Sequence, residues 1–386
     1  MKILIVVNHF PVLSEAFVAR KVQELIHRNH EVIICASTYN DDLYRNFFEG
    51  DKKIKIILFS KINALGWLLL HPLSLINKTK TNAWHSYIAS VINKIKPGIV
   101  HLEFSGLGAF YLPAVKKIHF PVMVSCHGTA EKVHLNLYEH RKNSLKELFD
   151  IADSIHCVSR DLKETIAPYC SYAQKIFINY SAVPVDYFKR ENPYKNKEQL
   201  TILSVGRLNY IKGYLTGLLA IKELKKDAQN FKWIIVGEGK QRKELSFYIY
   251  ALGLQNDVFL AGVKMGDEVK QAYRDADIFL LPSVSEGIAT VALEAMATGL
   301  PVVSTRCGGM PEVITDNVDG LLADVFDYKM LAVHLLKLMN DFELRKRLGN
   351  AARQRVVNNF NLKLQVDIFE EEYKKILLPQ THETEK

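Results

Sequence analysis

The chain predicts an α/β protein built as two Rossmann-like domains, each around a parallel sheet, with a ligand cleft between them. Three observations carry that expectation. Short apolar runs alternate with amphipathic stretches through both halves, which is the rhythm of parallel βαβ units. The 386 residues exceed what one ordinary core serves, and two domains of about 150–200 residues each are expected. Between the halves lies KRENPYKNKEQ (189–199), rich in charge and Asn and bearing a Pro, which reads as a hinge. The expected boundaries are residues 1–190, residues 199–360, and a terminal helix and tail over 361–386.

In the first half the strands are KILIVV, EVIICAS, IKIILFS, GIVHLE, PVMVSC and SIHCVS, with helices such as Ser14–Asn29 and Gly106–Ile118 between them. Ser14 and Glu15 open the first of these as N-cap and first helical residue. The stretch 61–95 combines Leu, Ile and Trp with Lys and almost no acid. It reads as packed helices with an exposed basic face, and a membrane-surface element is the alternative. In the second half the strands are TILSVG, KWIIVG, DVFLAG, DIFLLP and PVVST. The helix ATVALEAMAT is stopped by Gly299, and PVVST follows as a buried strand. Two amphipathic helices, Asp341–Asn358 and Leu362–Leu378, close the chain before a frayed tail.

Composition narrows the function classes. Hydrophobic content of 48% with 24% charged residues belongs to an ordinary globular protein. Cys35, Cys126, Cys157, Cys170 and Cys307 are odd in number, scattered and never in a CxxC pair. That suits a reducing, cytoplasmic setting and argues against a disulfide framework or a zinc ribbon. MKILIVVNHF is too short for a signal peptide, and no apolar run approaches the roughly 20 residues that span a bilayer. Residues 1–190 hold 24 Lys/Arg and 16 Asp/Glu, whereas the remainder holds 26 of each. All the excess positive charge therefore lies in the first half, which implies an anionic acceptor or an anionic membrane surface there. Lys and Arg are dispersed and accompany no nucleic-acid motif, so nucleic acid is not an expected partner.

The chemistry concentrates in SEGIATVALEAMATGLPVVST, where Glu286 and Glu294 stand eight residues apart. The first acid sits on a loop at a helix start and the second within the helix. The free backbone N–H groups at Gly287, Ile288, Ala289 and Thr290 attract a phosphate, and the two carboxylates accept hydrogen bonds from hydroxyls. Phosphate plus hydroxyls is the chemistry of a nucleotide sugar. Upstream, GRLNYIKG places Gly206, Arg207 and Lys212 on the loop after the first strand of this half, where two cations can hold a diphosphate. VGEGK (236–240) lacks the third glycine of a dinucleotide loop, since Arg242 takes its place. Asp275-Ala276-Asp277 imitates a metal-binding DxD but precedes its strand, so it reads as a helix end and strand entry, and no metal or other cofactor is expected. His127, followed by Gly128, stands at the carboxyl end of PVMVSC, where sites form in such sheets.

GRLNYIKG (206–213), VGEGKQRKEL (236–245), the Glu286–Glu294 stretch and GGMPEVITDNVDGLL (308–322) occur in the order and at the intervals of one family. The chain resembles the family 4 retaining glycosyltransferases, which have the two-domain GT-B fold. FPVLSEAFV (10–18) and SCHGTA (125–130) match more loosely. The resemblance implies that Arg207 and Lys212 hold the donor diphosphate, that Glu286 accepts a hydroxyl of the transferred sugar, and that Glu294 accepts the nucleotide ribose. It implies that Gly237 and Glu238 border the base, that His127 faces the donor sugar across the cleft, and that the C-terminal helix of 361–386 crosses back to the first domain. Ser14 and Glu15 are secondary candidates on the first loop. Many relatives carry an aromatic and then a small residue after the glycine, whereas this chain has Ile288-Ala289. FINYSAVPVDYF likewise departs from the family's Asn-Gly-Val-Asp pattern.

The function implied is retaining transfer of a sugar from a nucleoside diphosphate donor to a hydroxyl acceptor, a lipid-linked or surface polysaccharide intermediate. The donor is a substrate, no metal is required, and the setting is cytoplasmic, with peripheral contact on the inner face of the membrane. The alternatives are a nucleotide-sugar epimerase or a phosphorylase of the same shape, or a degenerate, non-catalytic sugar-binding scaffold.

Overall fold

The computed structural model describes residues 1–48, 54–59, 77–191 and 194–378. Most of the basic stretch singled out above (60–76), two residues of the polar junction (192–193) and the tail (379–386) lie outside the described residues. The chain forms two compact units, one of Met1–Asn179 with Val366–Lys386 and one of Tyr180–Gln365.

The first unit is built on β1 (Lys2–Val6), β2 (His9–Phe10), β3 (Glu31–Ala36), β4 (Thr38–Tyr39), β5 (Lys55–Leu58), β6 (Ile99–Leu102), β7 (Val122–Cys126), β8 (Ser154–Cys157) and β9 (Ile176–Ile178). Seven of these form one sheet in the order β5-β3-β1-β6-β7-β8-β9, while β2 pairs with β4 alone. Ile3 lies opposite Val32 on one side and Ile99 on the other, in parallel register. Helices cover both faces, so the strands are apolar throughout: Ile3, Leu4 and Ile5 are all buried. The chain starts at the centre, builds to one edge, returns to the centre at β6 and builds outward again. The crossover therefore falls between β1 and β6.

The second unit repeats the plan with β10 (Leu200–Val205), β11 (Phe231–Val236), β12 (Val258–Gly262), β13 (Ile278–Leu281), β14 (Val302–Thr305) and β15 (Leu321–Ala323). Its order is β12-β11-β10-β13-β14-β15, all parallel, with the crossover between β10 and β13. Trp233 is fully buried beneath the sheet, its indole N–H donating to Ser204 Oγ at 2.9 Å.

Several expectations shift by a few residues. The strip 180–190, placed above in the first domain, packs with the second unit, because Val183 pairs with Asn361 and Val185 and Phe188 are buried in that core. The polar junction is also tied to that unit: Tyr194 donates to the Asp277 carbonyl at 2.6 Å, and Lys197 reaches the Asp277 carboxylate at 3.1 Å. The last helix, Leu362–Leu377, belongs to the first unit from Val366 onward and buries Phe369 and Tyr373 there. Ser14 and Glu15 are not the opening of the first α-helix. They lie in a 3-10 turn, Leu13–Glu15, and the helix Ala16–His27 follows with Glu15 as an N-cap whose side chain caps nothing.

Candidate active site

In a doubly wound sheet the strands on either side of the crossover send their following loops to opposite faces, leaving a crevice outside their carboxyl ends. In the second unit those loops follow β10 and β13, and they carry the residues singled out above. After β10, Leu208 is buried and anchors the loop, while Arg207 stays exposed. A 3-10 turn, Tyr210–Lys212, ends at Gly213 with φ +62, where a Cβ would stand 2.0 Å from the Pro282 carbonyl oxygen. Only glycine permits that approach. It locks the β10 loop onto the β13 loop, as does the Val284 N–H donating to Ile211 at 2.7 Å.

This contact decides where Lys212 goes. Its Nζ donates to Glu286 Oε1 at 2.7 Å, and Ser283 Oγ donates to the same oxygen at 2.8 Å. Both ends of the ion pair are largely shielded, with 16% and 12% of their side chains exposed. A third loop lies against the backbone of Glu286 and Gly287. At Gly308, φ is +55 and a Cβ would lie 1.8 Å from the Glu286 carbonyl oxygen, while the Gly309 N–H donates to Gly287 at 2.9 Å. The helix Thr290–Thr298 then begins on Ala289, whose side chain cannot cap it. No side chain caps its first turn, which lies at the positive end of the helix dipole, and the Ala292 N–H turns back to the Ala289 carbonyl at 3.0 Å. Ile288 and Ala289 bury their side chains in the core, so they offer the loop surface only their backbone.

Glu294 lies in the body of that helix and is nearly buried. The phenol of Tyr273, on the neighbouring helix Asp267–Asp275, donates to its Oε2 at 2.8 Å. Gly237 and Glu238 buttress the loop after β10. A Cβ on Gly237 would meet the Gly206 carbonyl oxygen at 2.0 Å, and the Glu238 carbonyl accepts from the Leu208 N–H at 2.9 Å. The Glu238 side chain is half exposed and paired with Arg242 at 2.6 Å. Asp277 enters β13 at the opposite, amino end of the sheet, where it accepts from the Thr201 N–H at 2.9 Å. Among the described residues no group of three or more His, Cys, Asp or Glu is placed to hold a metal ion.

The first unit carries His127 at the carboxyl end of β7. Its ring is held between Phe17 and Phe104, with centroids 4.8 and 5.0 Å away. Burial pushes its pKa down to about 3, the nearby Lys21 cation adds to that, and a hydrogen bond to the Glu103 backbone opposes it. The imidazole is thus neutral, and Nε2 is an enclosed atom with no partner among the described residues. Beside it runs a buried polar chain that the sequence reading missed. Lys21 Nζ donates to both oxygens of Glu103 at 2.5 and 2.7 Å. His101 bridges Tyr373 at 2.6 Å and Ser125 at 2.7 Å, and Ser125 joins His156 at 2.8 Å, whose other nitrogen meets the Asn179 carbonyl at 2.6 Å. The two acids of the SCHGTAEK region and its neighbour strand thereby differ: Glu103 is held by Lys21, whereas Glu131 accepts from Ser105 and from the Gly128 N–H at 2.9 Å, fixing the His-Gly turn. Ser14 is exposed and Glu15 half-buried on the segment after β1.

The structure therefore gathers Arg207, Lys212, Glu286 and the Gly287–Thr290 backbone on adjoining loops of one unit, with Ser283 and Gly308 against Glu286, while Tyr273 bonds Glu294 on the helix that follows. Comparison with known proteins bears on the family and the fold. Residues 186–355 match the family described as Glycosyl transferases group 1, and residues 14–187 match Glycosyltransferase Family 4. The amylovoran biosynthesis glycosyltransferase AmsK of Erwinia amylovora is 29% identical over 404 residues, covering 94% of this chain and 96% of that protein. An α-1,4-N-acetyl-D-galactosaminyltransferase of Campylobacter jejuni, named for a GalNAc-containing PP-undecaprenol substrate, is 38% identical over 161 residues, 41% of this chain and 44% of its own length. The crystal structure of Anabaena Alr3699/HepE in complex with UDP-glucose has the same fold, with a TM-score of 0.80 at 16% identity over 97% of this chain and 100% of that one. Together the two family matches run without a gap from residue 14 to residue 355, and the chain belongs to glycosyltransferase family 4, an enzyme family of GT-B fold.

Proposed function

We propose that this glycosyltransferase takes its sugar from a nucleoside diphosphate donor and places it, with retention, on a hydroxyl of a lipid-linked or surface polysaccharide intermediate. The observation that carries the reading is the pairing of Lys212 with Glu286 beside a helix N-terminus that has no side-chain cap. The donor diphosphate takes Lys212, Arg207 and the backbone N–H groups of Gly287 to Thr290. Ser283 and Lys212 both bond Oε1 of Glu286, which leaves Oε2 to accept a hydroxyl of the transferred sugar. His127, neutral and bare at Nε2, suits a hydroxyl donor rather than a phosphate.

In the step itself the bond from the anomeric carbon to the diphosphate oxygen breaks, and its electron pair stays on that oxygen. The acceptor oxygen forms its bond on the same face, and its proton passes to the departing phosphate. Charge grows on the diphosphate as it leaves, and the two cations stabilise it there. With that charge met by Lys212 and Arg207, the reading needs no metal. The polysaccharide and undecaprenol names of the relatives support the class of acceptor, and the UDP-glucose complex of the Anabaena protein supports the class of donor. The net positive charge of residues 1–190 supports an anionic acceptor and peripheral contact with an anionic membrane, and no helix among the described residues is long and apolar enough to cross one. The epimerase and phosphorylase readings gain nothing from the matches.

A thermal-shift and calorimetric screen of UDP, GDP, ADP and their sugar conjugates, with and without EDTA, tests the proposal. The expected result is tight binding of one nucleotide that EDTA leaves unchanged and Glu294→Ala weakens. Binding of none of them would refute the donor site, and binding abolished by EDTA would refute its metal independence.

A further inference from the structure

The donor reading gives Glu294 a ribose to recognise, but Glu294 is a nearly buried carboxylate within a helix, and such a group is only useful if its orientation is fixed. One bond that orients it comes from the neighbouring helix. Tyr273 is fully buried, packed edge-on against Phe188 and tilted against Phe279, each with centroids 5.8 Å away. With the ring locked on two sides, the phenol has one direction in which to point. It reaches Glu294 Oε2 at 2.8 Å and the Val291 carbonyl, one turn earlier on the same helix, at 3.3 Å. A neutral donor does what a lysine would not: it orients the carboxylate without neutralising it, so the negative charge remains available to a hydroxyl.

We propose that Tyr273 is the positioning residue for ribose recognition, holding Glu294 in the rotamer that accepts the sugar hydroxyls of the nucleotide. The inference rests on the reading of Glu294 as the ribose acceptor. Tyr273→Phe removes only the hydroxyl and keeps the packed ring, so the fold is retained.

The test is calorimetry with the nucleoside diphosphate that binds the wild type and with its 2′,3′-dideoxy counterpart, on wild type, Tyr273→Phe and Glu294→Gln. The wild type should prefer the ribose form by about tenfold or more, as for hydrogen bonds to a charged group. In Tyr273→Phe that preference should fall most of the way to the Glu294→Gln value, with dideoxy affinity unchanged and donor KM raised more than kcat is lowered. A merely packed tyrosine would leave the ratio untouched. If Glu294→Gln loses the preference while Tyr273→Phe keeps it in full, the inference falls and the ribose reading stands. If Glu294→Gln itself keeps the preference, both fall.

Discussion

Lys212 and Glu286 show how much a single contact decides. Lys212 reaches the carboxylate only because Gly213 lets one loop lie against Pro282, and the third loop lies against the Glu286 backbone only because Gly308 has no Cβ to strike its carbonyl. Two predictions belong at this scale. Replacing Arg207 or Lys212 by Ala should lower turnover ~100-fold or more if each stabilises the departing diphosphate. Near-normal initial rates in both variants would remove them from the site. Gly308→Ala forces a shift at the Glu286 backbone as well as an L residue into a left-handed conformation. It should destabilise the second unit by about 2 kcal/mol or more, and a melting temperature equal to wild type would show that the loop yields freely. Arg207, Lys212, Glu286 and Glu294 stood out in the chain as candidates through their linked motifs and the resemblance, and the structure brings Lys212 onto Glu286. Ser283 and Tyr273 were not readable that way, because nothing in a sequence says that an ordinary Ser or Tyr will point at a carboxylate 3 or 21 residues away.

Strands that sit between two layers of helices must be apolar on both faces, which is why runs such as KILIVV and PVVST announced β1 and β14. The strands β9 and β15 escaped notice, since three residues carry no measurable period. The same elements conceal a polar layer that periodicity could not reveal, because His101 and His156 occupy strand positions that otherwise read as core. Burial holds His127 and His156 near pKa 3 and His101 well below its ordinary value, all under the 6.5 of an unfolded chain. Between those limits the unfolded state binds more protons, so stability rises with pH and is lost as pH falls below about 6.5. Each histidine contributes a slope of about 1.4 kcal/mol per pH unit. Amides of β6, β7 and β8 should therefore exchange increasingly fast, relative to their intrinsic rates, from pH 7 to pH 5. Constant protection over that range would mean that the three imidazoles titrate normally. The Lys21–Glu103 pair in the same layer predicts a second asymmetry. Lys21→Met alone should cost about 3–5 kcal/mol by stranding a buried carboxylate, and adding Glu103→Leu should recover most of it. Equal loss in the single and double variants, read from denaturant midpoints, would argue against an uncompensated charge as the cause.

At the scale of the whole molecule, the two units share one winding and one net charge, each holding 25 Lys/Arg and 21 Asp/Glu, because the acidic residues 366–386 group with the first. The alternation of apolar and amphipathic runs made both units legible, but it could not place their seam, because Val183, Val185 and Phe188 look alike whichever core receives them. Charge was legible without any structure: residues 1–190 hold 24 Lys/Arg against 16 Asp/Glu, and the rest is balanced at 26 of each. Between residues 52 and 102 there are eight lysines and no acid at all. A run of that kind, rather than the net charge of either unit, would draw the chain to an anionic membrane over about a Debye length, roughly 10 Å at 0.1 M salt. Attraction of that kind is reversible by salt, unlike insertion of apolar side chains. The full chain should therefore sediment with vesicles containing an anionic phospholipid at about 50 mM salt, where screening is weaker, and should be released as the ionic strength rises several-fold. Vesicles of zwitterionic lipid alone should not retain it. Retention on both vesicle types, or on anionic vesicles at any salt, would replace the electrostatic account with a hydrophobic one; no retention on either would assign the positive charge to the acceptor itself.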